Sequence, residues 1–248
     1  IKALWIACTN PAQSMPDQAT VRRALERCEF VVVQEAFATT ATCAYADLLL
    51  PATTWGEKDG TVTNSERRIS RVRPAVAAPG EARHDWRAVV DFARRLEARL
   101  PERLNGRLTL FPYDTPEAIW NEHRESTRGR DLDITGLSYG ELERAPQHWP
   151  APEGQAPRAR LYEDGRFPTP DGRARFADVA YAPLAEPRDA RYPFSLTTGR
   201  LRDHWHGMSR TGLLGRLFGH VSEPAVQLHP QDMERRGLKD GDLVHLTS

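Results

Sequence analysis

Polar side chains that can bind a ligand follow three short apolar segments near the start of the chain. Asn10 follows the first segment, Gln34 and Glu35 end the second, and Lys58 follows the third. Amide and acidic side chains suit the hydroxyls of a ribose or the edge of a purine, and a lysine ammonium can bind a phosphate or a ring carbonyl. These positions therefore indicate a binding site for such a ligand, with turn and capping roles as the alternative.

A second group of candidate residues lies in the run 198–212, TGRLRDHWHGMSRTG. Its glycines allow a close approach of backbone N–H groups, and its hydroxyls and arginines suit phosphate oxygens. Alternate residues on a strand point to opposite faces, so His204 and His206 favour hydrogen bonding to a polar heterocycle, with Trp205 packing, over metal ligation. The candidates are Thr198, Gly199, Arg200, His204, Trp205, His206 and Gly207, followed by a second hydroxyl-and-arginine group of Ser209, Arg210 and Thr211.

The polar segment 57–68, EKDGTVTNSERR, is too hydrophilic for a core. Asn64 and Ser65 can cap a helix or bond the backbone locally, and Arg67 and Arg68 offer guanidinium forks for a carboxylate or a phosphate. A solvated charged hairpin is the alternative interpretation.

Composition excludes several classes of protein. The 248 residues carry 34 basic and 34 acidic side chains, which argues against a nucleic-acid binder because phosphate contacts need a basic excess. No apolar run approaches the ~18 residues of a membrane span, so membrane insertion is not expected. The three cysteines form no C-x-x-C pair, and the glycine patterns of simple nicotinamide, P-loop and hydrolase sites are missing as well.

Apolar strands and helices are expected to position the first group of polar residues. Residues 3–8, 30–33 and 48–50 are apolar throughout, which is typical of a parallel sheet covered on both faces. Apolar residues at helical spacing follow Asp17 and recur near 85–99. In open sheets of this kind, ligands bind outside the carboxyl ends of the strands. The pattern therefore predicts the latter part of a doubly wound α/β domain.

The remaining chain predicts two further parts. We expect the α/β domain to cover 1–100, an irregular connector with short hairpins to cover 101–190, and a small β-barrel domain to begin in 191–248. Because both chain ends cut through an apolar element, we expect an excerpt of a longer protein. The predicted elements beyond residue 100 are a helix near 116–123, strands at 193–197, 226–229 and 243–246, and a helix at 230–236.

The motifs together resemble the molybdenum-dependent nitrate reductases, within the oxidoreductases that bind two molybdopterin guanine dinucleotides. The resemblance is dense over 1–100 and 192–248, thin across the connector, and greatest with the cytoplasmic assimilatory branch. The matching segments are LWIACTNP (4–11), ADLLLP (46–51), WGEKDGTVTNSERRISRVR (55–73), PGEARHDW (79–86) and TGRLRDHWHGMSRTG (198–212).

The resemblance implies that the chain holds the organic part of a Mo-bis(molybdopterin guanine dinucleotide) cofactor. Residues 198–207 match the loop that opens the C-terminal domain, which resembles a double-psi barrel. Relatives often carry Ser-Asp where this chain has Gln34-Glu35, and a glutamine at the position of His204. The metal ligand and the cysteines of a 4Fe–4S cluster lie upstream of the match, so no catalytic or metal-binding residue is expected here. In the α/β domain the matching cofactor positions are Asn10, Gln34, Glu35, Lys58 and Asp85.

The resemblance also implies an activity, which is oxygen-atom transfer from nitrate to leave nitrite, with electrons from a donor protein or domain, in the cytoplasm. Lys58, Arg200 and Arg210 are then expected to face one anionic dinucleotide. A formate dehydrogenase-like molybdoenzyme and a non-catalytic scaffold that lost the metal are the alternatives.

Overall fold

The structure is a computed structural model that describes residues 1–208, 211–217, 219, 221 and 223–247. The chain divides into two compact units, Ile1–Phe176 and Ala177–Ser248. Each unit is described by itself below.

A three-stranded parallel sheet forms the first part of unit 1. Strands β1 (Ala3–Ala7), β2 (Phe30–Glu35) and β3 (Leu48–Pro51) are hydrogen-bonded in that order. The prediction of an α/β fold with a parallel sheet is therefore confirmed. Strand β2 is longer than expected and includes Gln34 and Glu35, so these two side chains leave the last residues of a strand rather than a following loop.

Helices cover both faces of this sheet. Helix α1 (Pro11–Ser14) follows β1, and α2 (Gln18–Arg27) packs Leu25 with Ile6 on the sheet. Trp5, the neighbour of Ile6, points to the opposite face of the sheet. Its ring packs edge-on against the Phe92 ring there, with the two ring centres 5.3 Å apart. Helix α3 (Asp85–Glu97) therefore lies on that second face.

The apolar stripe predicted near 85–99 is only partly used in the core. Helix α3 buries Ala93, a member of the predicted stripe, and Val90, which the stripe did not include. The other predicted members are exposed, and these are Val89, Phe92, Leu96 and Leu100.

A second, antiparallel sheet completes unit 1. Strands β4 (Gly60–Thr63), β5 (Arg68–Val72) and β6 (Gln147–His148) are paired in that order. Its apolar residues form a core with α4 (Pro116–Glu125) and α5 (Tyr139–Arg144). The helix predicted near 116–123 is present as α4. Short 3-10 helices lie at Ala41–Tyr45, Trp55–Glu57 and Pro101–Leu104.

Within the connector that we expected to be irregular, residues 116–148 form α4, α5 and β6, and their apolar residues share a core with Ile69 of β5. Residues 149–176 contain no helix or strand. The indole N–H of Trp120 donates to the carbonyl of Leu137 at 2.7 Å. Sequence reasoning missed α5, whose cap is Ser138 accepting from the Glu141 N–H. The domain boundaries at 100 and 190 stay predictions.

Unit 2 contains helix α6 (Pro230–Arg235) and two 3-10 helices, Thr211–Leu213 and Gly215–Leu217. The helix prediction is confirmed, but the strands expected at 193–197, 226–229 and 243–246 are not formed in the described part of this unit. A strand needs a hydrogen-bonded neighbour, and these segments have none there. A double-psi barrel is therefore not confirmed.

Across the described ranges, the helices are all too short or too polar to cross a membrane.

Candidate functional site

Three of the predicted ligand-binding residues meet at the carboxyl edge of the parallel sheet. The Gln34 amide nitrogen donates to Asp85 Oδ1 at 2.9 Å, and Lys58 Nζ donates to Asp85 Oδ2 at 2.5 Å. The Gln34 side chain leaves β2, whereas the other two belong to segments far away in the sequence. The fold therefore assembles an amide, a carboxylate and an ammonium at one place, which we call the edge triad.

Asp85 reaches the edge triad because the chain before α3 continues the sheet. The Arg83 N–H donates to the Pro51 carbonyl at 3.0 Å, and the Thr53 N–H donates to the Arg83 carbonyl at 3.0 Å. Helix α3 then begins at Asp85. A carboxylate in the first turn interacts favourably with the positive end of the helix dipole.

Lys58 reaches the edge triad from the end of the 3-10 helix Trp55–Glu57. A capping box, in which Thr54 and Glu57 bond each other's backbone N–H, fixes the start of that helix. The ammonium also lies 5.7 Å from the centre of the Trp55 ring, within the range of a cation–π attraction. The side chains of Lys58 and Asp85 remain 27% and 32% exposed, so a ligand can reach both charges.

Two buried polar atoms next to the edge triad have no hydrogen-bond partner among the described residues, Gln34 Oε1 and Thr53 Oγ1. Gln34 is 4% exposed and Thr53 is 1% exposed. The neighbouring Ala52 N–H donates to the Glu35 carbonyl, which places both at the same end of the sheet. A buried unpaired polar atom costs about 1–3 kcal/mol. A ligand that offers N–H or O–H groups there would remove that cost, and a dinucleotide carries both.

The surface beside the edge triad has room for a ligand. An open depression of about 400 Å³ is lined by Glu57, His84 and residues 74–78. Glu57 and His84 are the chain neighbours of Lys58 and Asp85, so the depression adjoins the edge triad.

The side chains of Asn10 and Glu35 lie outside the edge triad and form hydrogen bonds elsewhere. Asn10 Oδ1 accepts from the Thr42 N–H at 3.0 Å and from Thr42 Oγ1 at 2.6 Å, and its amide nitrogen donates to Gln13. Glu35 Oε1 accepts from the N–H groups of the next two residues. The Glu35 side chain thus fills a local turn role that the sequence left open. The Asn10 side chain instead joins the turn after β1 to the 3-10 helix Ala41–Tyr45 and does not cap α1. The cofactor roles of both residues stay predictions.

Sequence reasoning missed Thr42 and Thr53. Both are buried polar residues at the ends of the strands. Each lies in a small-residue stretch that carries no charge, so the pattern of polar residues after apolar runs did not mark them.

The candidates of unit 2 lie in an exposed segment followed by turns. Thr198, Gly199 and Arg200 are exposed and belong to no helix or strand. The His204 N–H donates to the Leu201 carbonyl at 3.2 Å and makes the first turn.

The second turn is closed by Trp205. Its carbonyl accepts from the Met208 N–H at 2.9 Å, and its N–H donates to Thr211 Oγ1 at 3.2 Å. Its ring lies edge-on to the His206 ring, with the two ring centres 4.3 Å apart. Gly207, the next residue, is exposed. Trp205 therefore packs on His206, and its packing on a bound heterocycle stays a prediction.

The strand assumed for 204–206 is absent, because the chain turns there, so the argument from alternating faces does not apply. The described residues include no group of three or more His, Cys, Asp or Glu side chains placed to hold a metal ion. Ser209 and Arg210, also candidates, lie outside the described residues.

Comparison with protein families assigns both candidate regions. Residues 1–95 match the family model of the molybdopterin oxidoreductases, and residues 194–248 match that of the molybdopterin dinucleotide binding domain. The chain carries a molybdopterin oxidoreductase domain and a molybdopterin dinucleotide binding domain. The resemblance drawn from the motifs is thereby confirmed. The first match contains the edge triad, and the second contains the loop 198–207.

Individual members of the molybdopterin oxidoreductase family align over this whole chain. It is 40% identical to a nitrate reductase of Klebsiella oxytoca, covering 100% of this chain and 28% of that protein. The chain is 37% identical to the alpha subunit of an F420-dependent formate dehydrogenase of Methanocaldococcus jannaschii, and the match covers 100% of this chain and 35% of that subunit. The chain is 36% identical to the assimilatory nitrate reductase catalytic subunit of Bacillus subtilis, and the match covers 100% of this chain and 34% of that subunit. The chain therefore spans about a third of these relatives' length.

Proposed function

We propose that this chain holds part of a molybdopterin guanine dinucleotide cofactor in a molybdenum oxidoreductase that reduces nitrate to nitrite. The observation that carries the proposal is the edge triad with its unpaired buried Gln34 Oε1, inside the segment that matches the family. The nitrate reductases among the relatives support the choice of substrate.

The residues present fit such a cofactor by their chemistry. The Lys58 ammonium binds a phosphate or a ring carbonyl, and the Asp85 carboxylate and Gln34 Oε1 accept hydrogen bonds from ring or ribose groups. In unit 2, the Arg200 guanidinium and the Thr198 hydroxyl suit phosphate oxygens, and the other residues of the loop 198–207 complete the proposed binding segment. When bound, the cofactor supplies the redox chemistry, in which nitrate takes up two electrons and two protons and leaves as nitrite and water.

The described side chains bind and orient the cofactor, and the proposal assigns none of them to bond breaking. Electrons come from a donor protein or domain through a 4Fe–4S cluster held outside residues 1–248, and the compartment is the cytoplasm. These parts of the proposal rest on the resemblance and on the named relatives.

The test measures cofactor content and turnover together. The purified full-length protein that contains this chain is expected to contain molybdenum and guanine nucleotide, and to oxidise a reduced viologen dye when nitrate is added. Lys58→Met is expected to lower the content of both, whereas Lys2→Met, at an exposed lysine of the same unit, is the matched control and leaves them unchanged. Absence of both molybdenum and guanine nucleotide would refute the enzyme and support a non-catalytic scaffold.

A formate dehydrogenase is the second candidate, because one relative of that name is 37% identical over the whole chain. The same preparation separates the two. Formate-dependent reduction of an oxidised viologen, with no nitrate-dependent oxidation of the reduced dye, would replace nitrate by formate as the substrate.

A further inference from the structure

A buried arginine holds the backbone immediately after Lys58. The guanidinium Nη1 of Arg71 donates to Asp59 Oδ1 at 2.5 Å, to the Gly60 carbonyl at 2.8 Å and to the Val72 carbonyl at 2.6 Å. Its side chain is only 10% exposed. The two residues that follow Lys58 are therefore tied to strand β5 by one charged group.

The other contacts of Arg71 fix the guanidinium itself. Its plane lies 3.7 Å from the centre of the Tyr139 ring, and its Nε lies 3.2 Å from Glu143 Oε1. Burial raises the pKa of Tyr139 to about 12, so the ring stays neutral beneath the cation. Helix α5 carries both partners, so the position of Asp59 is set by the second core of unit 1.

Lys58 depends on such an anchor for its position. A lysine side chain is a flexible four-carbon stem with a point charge, so where its ammonium lies follows from where its backbone is held. The capping box fixes the chain before Lys58, and the Arg71 contacts fix the chain after it.

We propose that Arg71 is a positioning residue that holds Lys58 against Asp85 for cofactor binding. The inference rests on the proposed role of Lys58 in the cofactor site. Arg71 itself touches neither Asp85 nor the depression lined by Glu57 and His84 in the contacts described. A purely structural role, in which Arg71 stabilises the β4–β5 hairpin alone, is the competing explanation.

A double-mutant cycle on the purified holoprotein tests the proposal. The measured quantity is the rate constant for loss of guanine nucleotide during dialysis, for Arg71→Lys, Lys58→Met and the double variant. A lysine at position 71 can keep one of the three backbone and carboxylate contacts. We expect each single variant to release the cofactor about five- to tenfold faster, which corresponds to the net contribution of one ordinary hydrogen bond. The double variant should be no faster than Lys58→Met, because both remove the same interaction.

The matched control is Arg73→Lys. Arg73 pairs with the same Glu143 at 2.7 Å but is 67% exposed and has no described contact with Asp59 or Gly60. Its release rate is expected to equal that of the unmodified protein.

Each other outcome overturns a distinct claim. If Lys58→Met releases the cofactor at the normal rate, the assignment of Lys58 fails, and the role of Arg71 fails with it. If Lys58→Met is faster but the two effects multiply, Arg71 is structural and only the inference about it is wrong. Should Arg71→Lys not fold, Asp59→Asn takes its place, because the asparagine keeps an oxygen that accepts from Arg71 but removes the ion pair. Its double variant with Lys58→Met must then release the cofactor no faster than Lys58→Met alone.

Discussion

Replacing Gln34 by leucine should separate cofactor binding from stability. Gln34 is 4% exposed, its amide nitrogen bonds the Asp85 carboxylate, and its Oε1 is buried without a partner among the described residues. In the cofactor-free protein, removing the unpaired oxygen gains about 1–3 kcal/mol, and losing the charge-assisted bond costs about 1.5–3 kcal/mol. These contributions nearly cancel, and Asp85 keeps Lys58 and remains accessible to water. We therefore expect the free energy of unfolding to change by no more than about 2 kcal/mol.

The same substitution removes an acceptor that the cofactor needs in our proposal. Loss of one hydrogen bond weakens binding by about 1 kcal/mol, or about fivefold. The assay pairs urea unfolding of protein from cells that cannot make molybdopterin with the release rate of guanine nucleotide from the holoprotein. Gln147→Leu, at a glutamine of strand β6, is the control and should leave the release rate unchanged.

Gln34→Glu provides a second variant to compare with Gln34→Leu, because it puts a second carboxylate beside Asp85 in a buried position. Like charges at that distance oppose each other, so we expect a less stable protein. A Gln34→Leu variant that loses more than about 3 kcal/mol of stability, yet releases the cofactor at the normal rate, would refute our reasoning and make Gln34 a structural residue.

Three further predictions concern residues outside the edge triad. Thr42→Val should lower the free energy of unfolding by about 2–4 kcal/mol in urea titrations, because it removes the hydroxyl bonded to Asn10 and Ala12, while Thr42→Ser should keep most of it. Hydrogen bonds from Thr135 hold the pKa of Asp133 below its ordinary value of 3.8. The stability this provides is present above that value and is lost as pH falls through the lower folded pKa. Asp133→Asn should therefore lower the free energy of unfolding at neutral pH and make it fall less steeply as the pH is lowered. A variant with the urea midpoints of the unmodified protein at both neutral and acidic pH would contradict this. Arg200→Ala should lower the molybdenum content of the purified protein, and normal content with normal nitrate turnover would remove Arg200 from the site.

The parallel sheet and its flanking helices could be predicted because their signals are local. The runs at 3–8, 30–33 and 48–50 are apolar throughout, and the spacing after Asp17 has a helical period, although Leu48 and Leu49 of β3 remain 43% exposed. The strands expected in unit 2 failed because the same kind of apolar run needs a neighbour to pair with. Leu196 and Leu246, for instance, are 72% and 58% exposed.

The candidate site divides in the same way. The sequence by itself determined that polar residues follow the strands and, through its motifs, the family that the chain resembles. Only the tertiary structure decided which of those residues meet, since Gln34, Lys58 and Asp85 are joined by contacts between segments 27 and 51 residues apart. It also decided that Asn10 bonds Thr42, 32 residues away, that Glu35 bonds the N–H groups of the next two residues, and that Arg71 holds the backbone beside Lys58. A side chain's partner depends on where the folded backbone brings it, and a pattern along the chain carries no such distance.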